Sequence, residues 1–318
     1  MRRYLLILLF AISLAPSAQC EPLPIEKTYA VPGPALVKRS TVNNALGLPQ
    51  YELFYPATVG LPGIRHPLLV WGNGTSATVG QYSRLLTQMA SWGFVVIATT
   101  SVTTGTGQEM LASLDWLVAA NDNPSSVFHH ALDPTKIGVF GHSQGAGGSI
   151  RTLAAANAPG SAHRPVTTVV PIELPAQKWI CFGSLDLGCK GPRWFSGSDI
   201  RNGSVFFVNG SRDVVASPSF QSPQEKGEQS IAAFYDAVPA GVAKAKATLF
   251  DADHNDIQDS CSSACNLGPM PYFGYLVAWM RYRLYGDPLA RAAFVHENAV
   301  PEVFQSLHWR NQDSRNLD

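Results

Sequence analysis

Apolar residues along the chain cluster in short runs, and the segments between them carry helical spacing. Pro67-Leu-Leu-Val-Trp71, Phe94-Val-Val-Ile-Ala98, Lys136-Ile-Gly-Val-Phe140, Thr167-Thr-Val-Val170, Val205-Phe-Phe-Val208 and Ala247-Thr-Leu-Phe250 are strand-length and largely apolar. Such runs fit strands covered on both faces. Tyr51-Glu-Leu-Phe-Tyr55 predicts an earlier strand, whereas 21–50 is rich in proline and small residues and has little periodicity. Gln81 to Trp92 places Tyr82, Leu85, Leu86 and Met89 on one helical face and stops at Gly93. Leu111 to Ala120 does the same with Leu111, Leu114, Leu117 and Val118, Gln144 to Ala156 reads as an Ala- and Gly-rich helix, and Tyr272 to Tyr285 as a closing helix. Strands alternating with helices predict an α/β chain with a mostly parallel central sheet and helices on both faces. No internal repeat breaks the pattern, so a single domain over 21–318 is expected, with an insertion at about 178–200.

The first residues add a compartment. Met1-Arg-Arg-Tyr4 is positively charged, Leu5 to Leu14 is apolar, and Ala15, Ser17 and Ala18 are small. That layout predicts a secretory signal peptide over 1–20, too short to span a bilayer comfortably, and a secreted or periplasmic mature chain. Cleavage after Cys20 or after Ser17 suits a small-residue rule. A lipidated Cys20 is the competing reading, but Ser17 and Gln19 stand where a leucine and a small residue are wanted. No other stretch reads as a membrane segment. An apolar share of 46% against 14% charged is ample for one large core. A formal net charge of zero without a basic stripe argues against nucleic acid or an anionic surface as partner.

If Cys20 leaves with the signal, four cysteines remain, in two close pairs. In an oxidising compartment an even count reads as disulfides. Three connectivities are open, and the close spacing favours Cys181–Cys189 and Cys261–Cys265. A zinc site is the alternative, but no Cys-x-x-Cys spacing exists.

Gly141-His-Ser-Gln-Gly145 is the sharpest chemical signal, because this G-x-S-x-G lies between a predicted strand and a predicted helix. Glycines on both sides suit a strained turn where neighbouring Cβ atoms would clash. A serine hydroxyl is a weak nucleophile and needs a base, which needs an orienting acid. Asp213, in Asn209-Gly-Ser-Arg-Asp213, and His254, in Asp251-Ala-Asp-His254, each follow a strand directly, where such sheets put their ligands. Ser143 is the expected nucleophile, His254 the base and Asp213 the acid. A turn-capping role competes for Asp213, and Asp251 and Asp253 are rival acids whose side chains diverge from the ring. The Gln144 N–H is one expected oxyanion donor. The second is expected from Gly72-Asn73-Gly74, at Asn73, or at Gly74 if the register slips.

The other histidines compete weakly. His142 reads as packing beneath the turn, and His129, His130, His163, His296 and His308 as solvated. Asp251, Asp253, Asp256 and Asp259 lack the spacing of a calcium loop. No metal or cofactor is expected.

The elbow Gly141 to Gly148, the passage Gln88-Met-Ala-Ser-Trp-Gly-Phe-Val-Val-Ile-Ala98 and the segment Ala278 to Asp287 resemble the bacterial cutinase and polyester-hydrolase group of the α/β-hydrolase superfamily, with its chlorophyllase-like and dienelactone-hydrolase-like relatives. The resemblance covers roughly 50 to 295. It implies the α/β-hydrolase fold and cofactor-free hydrolysis of a small-molecule or polymeric carboxylic ester, with Ser143, Asp213 and His254 at the family's catalytic positions and Gln144 and Asn73 at its oxyanion donors. Two features depart from the family. Pro171-Ile-Glu-Leu-Pro175 lacks the aromatic clamp that polyester hydrolases carry, which argues against a polyester substrate. The insertion from Trp179 to Ile200 brings Trp179, Phe182, Trp194 and Phe195, and Trp179, Trp194 and Phe195 are the expected substrate contacts. A peptidase, an acyltransferase or a catalytically silent binding module on the same fold are the alternatives.

Overall fold

The computed structural model describes residues 22–179, 195–260, 270–296 and 299–317. The five cysteines, Phe182, Trp194 and the expected signal segment lie outside the described residues, and with them the disulfide pairings.

Nine strands form one sheet: β1 (Val37–Asn43), β2 (Pro49–Pro56), β3 (His66–Gly72), β4 (Val95–Thr99), β5 (Leu132–His142), β6 (Thr168–Ile172), β7 (Ser204–Gly210), β8 (Ala243–Leu249) and β9 (Trp309–Arg315). Their spatial order is β1-β2-β4-β3-β5-β6-β7-β8-β9. The six strands from β4 to β8 in that order are parallel. The pairs β1–β2, β2–β4 and β8–β9 are antiparallel. The expected mostly parallel sheet is therefore what the chain forms.

Alternation along the strands divides the core in two. Leu69, Trp71, Phe140, Val170, Phe206 and Val208 face one side, where they meet α1 (Pro24–Ala30), α2 (Ser83–Ser91) and the long apolar helix at Met270–Met280. Leu68, Val70, Val139, Val169, Val205 and Phe207 face the other side and meet α3 (Gln108–Asp122), α4 (Gln144–Ala156) and α5 (Ile231–Ala237). Period-2 side-chain alternation is what lets continuously apolar strands serve two layers at once. Among the described residues no helix is long and apolar enough to cross a membrane.

Where the elements depart from expectation, the reasons are physical. β1 reads Val-Lys-Arg-Ser-Thr-Val-Asn and β9 reads Trp-Arg-Asn-Gln-Asp-Ser-Arg. Both are edge strands without a continuous apolar face, so neither left a periodic signal. The closing helix, α6 (Met270–Met280), gives way to a π-turn over Arg281–Tyr285 that Gly286 ends at a φ of 66°. The segment expected as one helix from Gln81 is a 3-10 turn, Val79–Tyr82, followed by α2.

Candidate active site

β5 carries the chain to His142, and α4 begins at Gln144. Ser143 between them has φ 54° and ψ −121°, a conformation costing on the order of 1–3 kcal/mol for a residue with a Cβ. The flanking glycines are required by contact. A Cβ on Gly145 would lie 2.2 Å from the Gly72 carbonyl oxygen, so only hydrogen fits between the elbow and β3. The strain lifts Ser143 out of the strand line at the mouth of α4, where unpaired N–H groups point.

Two later strand ends meet it there. His254 Nε2 is 3.0 Å from Ser143 Oγ, and His254 Nδ1 is 3.1 Å from Asp213 Oδ1. Asp213 Oδ1 also accepts from the Val215 N–H at 2.7 Å and the Ala216 N–H at 3.3 Å. Burial raises the Asp213 carboxyl, but the His254 hydrogen bond, the neighbouring Glu173 and the Val215 N–H outweigh it and hold the group below the ordinary range. An ionised Asp213 requires Nδ1 of His254 to carry the proton, which leaves Nε2 to accept from the Ser143 hydroxyl. The rival acids are engaged elsewhere. Asp251 pairs with Arg212 at 2.9 Å, and Asp253 Oδ1 caps the Asn255 N–H at 2.9 Å. Asp256 Oδ2 accepts from the Asp253 N–H, and Asp259 accepts from the Arg84 N–H in the first turn of α2, so each of these acids has a local or helix-capping partner.

His142 does more than pack. It is buried, and its Nε2 lies 2.7 Å from the main-chain oxygen of His254. Its Nδ1 lies 2.8 Å from the Tyr82 hydroxyl, which takes the Gly74 N–H at 3.2 Å. A carbonyl can only accept, so Nε2 carries the proton and Nδ1 accepts from Tyr82. Desolvation, with His254 nearby, pushes the His142 pKa down to about 3, and burial pushes Tyr82 up to about 12. Both are therefore neutral, and one directed chain ties the loop after β3, the elbow and the His254 loop together.

That chain also bears on the expected oxyanion loop. The Gly74 N–H is spent on Tyr82. Asn73 is fully buried, its side chain accepting from Trp71 Nε1 and donating to the Thr99 and Ser101 oxygens. Thr75 is the first residue of this loop that is exposed. Gln144 opens α4 directly after Ser143, with its side-chain amide donating to the Val102 oxygen at 2.7 Å.

Of the expected substrate contacts, Phe195 is a correction. It is 3% exposed, stacks on Phe234 at 5.7 Å, and fills the space that a side chain on Gly147 of α4 would need. An apolar ring beside a glycine on a buried helix face is held in the core rather than offered to solvent. Trp179 is 44% exposed. His308 is also corrected, because it is buried 3.6 Å from a Glu26 carboxylate oxygen.

One buried acid went unread. Glu173 follows β6 at a φ of 52° and is fully buried. It accepts from the Gly210 N–H at 3.0 Å and is hydrogen-bonded to Tyr272. One oxygen each from Glu173 and Asp213 and one nitrogen of His254 lie within 4.8 Å of one another. This is the group of side chains with metal-ligand chemistry among the described residues. Asp213 Oδ1 and both Glu173 oxygens already hold hydrogen-bond partners, so the set fits a proton better than a cation. A charged residue in an apolar strand sequence, at Ile172-Glu173-Leu174, was the available signal.

Strand order and elbow together are those of the α/β-hydrolase class. The chain matches the PETase family, described as PET hydrolase-like, over residues 16–173, and over that span it is similar to the cutinase and polyester-hydrolase group of that superfamily. That likeness implies a hydrolase acting on esters. The matched span takes in the elbow and ends before Asp213 and His254.

Proposed function

We propose that the protein is a secreted serine esterase that cleaves carboxylic esters through an acyl-enzyme. The observation that carries this reading is the unbroken contact from Ser143 Oγ to His254 at 3.0 Å and on to Asp213 at 3.1 Å, in a chain similar to an ester-hydrolase family. His254 takes the Ser143 proton as the hydroxyl oxygen attacks the ester carbonyl. Asp213 holds the ring in the required tautomer and stabilises the imidazolium that forms. The oxyanion develops at the start of α4, near the Gln144 N–H, and Thr75 is the proposed second donor, in place of Asn73 and Gly74. One such donor is worth about 3–4 kcal/mol in the transition state. His254 then protonates the leaving alcohol, and a water repeats the sequence on the acyl-enzyme.

Val102, beside Gln144, and Val214, beside Asp213, are 40% and 84% exposed. Exposed apolar residues next to Gln144 and Asp213 suit an ester with a hydrocarbon portion. Secretion rests on the amino-terminal pattern of charged, apolar and small residues. The test is covalent labelling by a fluorophosphonate probe, combined with turnover of p-nitrophenyl esters from acetate to palmitate. Labelling at Ser143 with turnover supports the proposal. Absence of both in the folded protein ends it.

A further inference from the structure

Asp213 has two oxygens, and His254 uses only one. Oδ1 collects the His254 ring and two backbone N–H groups, whereas Oδ2 is buried and accepts from no N–H or O–H donor among the described residues. A buried carboxylate oxygen left without a donor is costly, and native structures rarely tolerate it. The group facing this pair is Glu173, delivered by the end of β6 in a left-handed conformation that a glutamate adopts only when its surroundings force it. Two carboxylates this close in a dry interior do not both ionise. Asp213, with three N–H donors, is the one built to hold the charge.

We propose that Glu173 is held as a neutral carboxylic acid whose proton is donated to Asp213, making it a positioning residue that sets how strongly Asp213 holds the His254 imidazolium. The inference rests on the esterase reading of the same site. Burial, then the charge and hydrogen bond of Asp213, push the Glu173 carboxyl well above the ordinary carboxylate range, which agrees with the geometry. The Gly210 N–H and Tyr272 occupy its accepting positions, so its own proton is the remaining donor in the cluster. The titratable groups facing the assembly are Asp213 and His254 on the loops after β7 and β8, His142 on the elbow, Tyr82 behind it, and Tyr272 of α6 with Asp256 near it. A neutral donor on Oδ2 disperses the carboxylate charge. It thereby weakens the hold on imidazolium and keeps His254 able to accept a proton in more acidic conditions.

Glu173→Gln is the deciding variant, because an amide of the same shape donates to Asp213 and accepts from Gly210 without ever ionising. If Glu173 is neutral, the acid limb of the kcat/KM profile stays where the wild type has it. The variant's melting temperature should then gain on the wild type as pH rises from about 5 to 8, since only the wild type must take up a proton to fold. Glu173→Leu removes the donor, and its acid limb should move to higher pH by about half a unit or more, with kcat falling more than KM changes. An acid limb that moves to lower pH in Glu173→Gln, or a melting difference flat with pH, would mean Glu173 is ionised and overturns the proposal. An unchanged limb in a folded Glu173→Leu would reduce Glu173 to packing. The melting difference needs no turnover, so it stands or falls apart from the esterase reading.

Discussion

The Nε2 of His142 donates to the main-chain oxygen of His254 across 2.7 Å, joining residues 112 positions apart. The residue before Ser143 thus anchors the backbone of the residue whose ring touches the Ser143 hydroxyl. The cost of the arrangement is a histidine that must stay neutral. His142 titrates near 6.5 when unfolded and is held to about 3 in the fold. Its contribution to stability is complete above about pH 6.5 and is lost as pH falls toward 3.

The wild type should therefore lose stability over that window relative to His142→Gln, by up to about 1.4 kcal/mol per pH unit. Urea unfolding of the two proteins at intervals from pH 7 to pH 3.5 reads the difference directly. Parallel stability curves would place the His142 proton elsewhere.

Ser143→Ala should lose at least about a thousandfold in kcat while keeping the fold, as expected for removal of a hydrolytic nucleophile. Asp213→Asn should be impaired on a similar scale, because the asparagine amide favours the wrong His254 tautomer. Asp253→Asn should be mild, since Asp253 caps Asn255. Steady-state kinetics on one p-nitrophenyl ester ranks the three, and a reversed ranking of the two aspartates would move the acid to the histidine loop.

Tyr82→Phe leaves both the Gly74 N–H and His142 Nδ1 without their partner. A stability loss of about 1–3 kcal/mol is expected for stranding buried polar groups, together with a lower kcat as the loop before Thr75 loosens. Denaturation and kcat measured on the same preparation test whether the two effects travel together. Full activity in a destabilised protein would confine Tyr82 to packing.

Phe195→Ala should cost about 3–5 kcal/mol of stability and leave chain-length preference among esters unchanged, because the ring fills the space beside Gly147 and Phe234. Melting curves and the ester panel decide. A shifted preference with intact stability would return Phe195 to the substrate.

Mass spectrometry of unreduced peptides from the protein expressed with its amino-terminal segment into an oxidising compartment should find Cys181 joined to Cys189 and Cys261 to Cys265, with no free thiol. Cross-pairing between the two sets would tie the insertion to the histidine loop.

The parallel strands and the three residues at their ends were legible because each strand is a continuous apolar run and each candidate follows one directly. Trp71, Phe140 and Phe206 announce buried strands without help from their neighbours in space. What stayed hidden depends on long-range partners. The Gly74 N–H looks available in sequence and is taken by a tyrosine eight residues on. His308 sits in a polar stretch and is buried beside Glu26, a residue far from it in sequence. Glu173 has no spacing relation to Asp213, and their meeting is set by the adjacency of β6 and β7. Phe195 reads as a substrate contact because an aromatic in an insertion gives no clue to the gap that Gly147 leaves.

The two outermost strands, β1 and β9, place Lys38, Arg39, Arg310, Asp313 and Arg315 along the borders of a sheet whose interior is almost wholly apolar. An open border of such a sheet is a template for a second chain, and charge there makes pairing with a neighbour unfavourable. The same polar residues that hid these strands from periodicity thus act as a colloidal safeguard. On the β8 side that safeguard is β9 itself, which pairs antiparallel with β8 and covers its outer edge. A chain cut short before Trp309 would expose that border and should form aggregates even with Ser143, Asp213 and His254 all present.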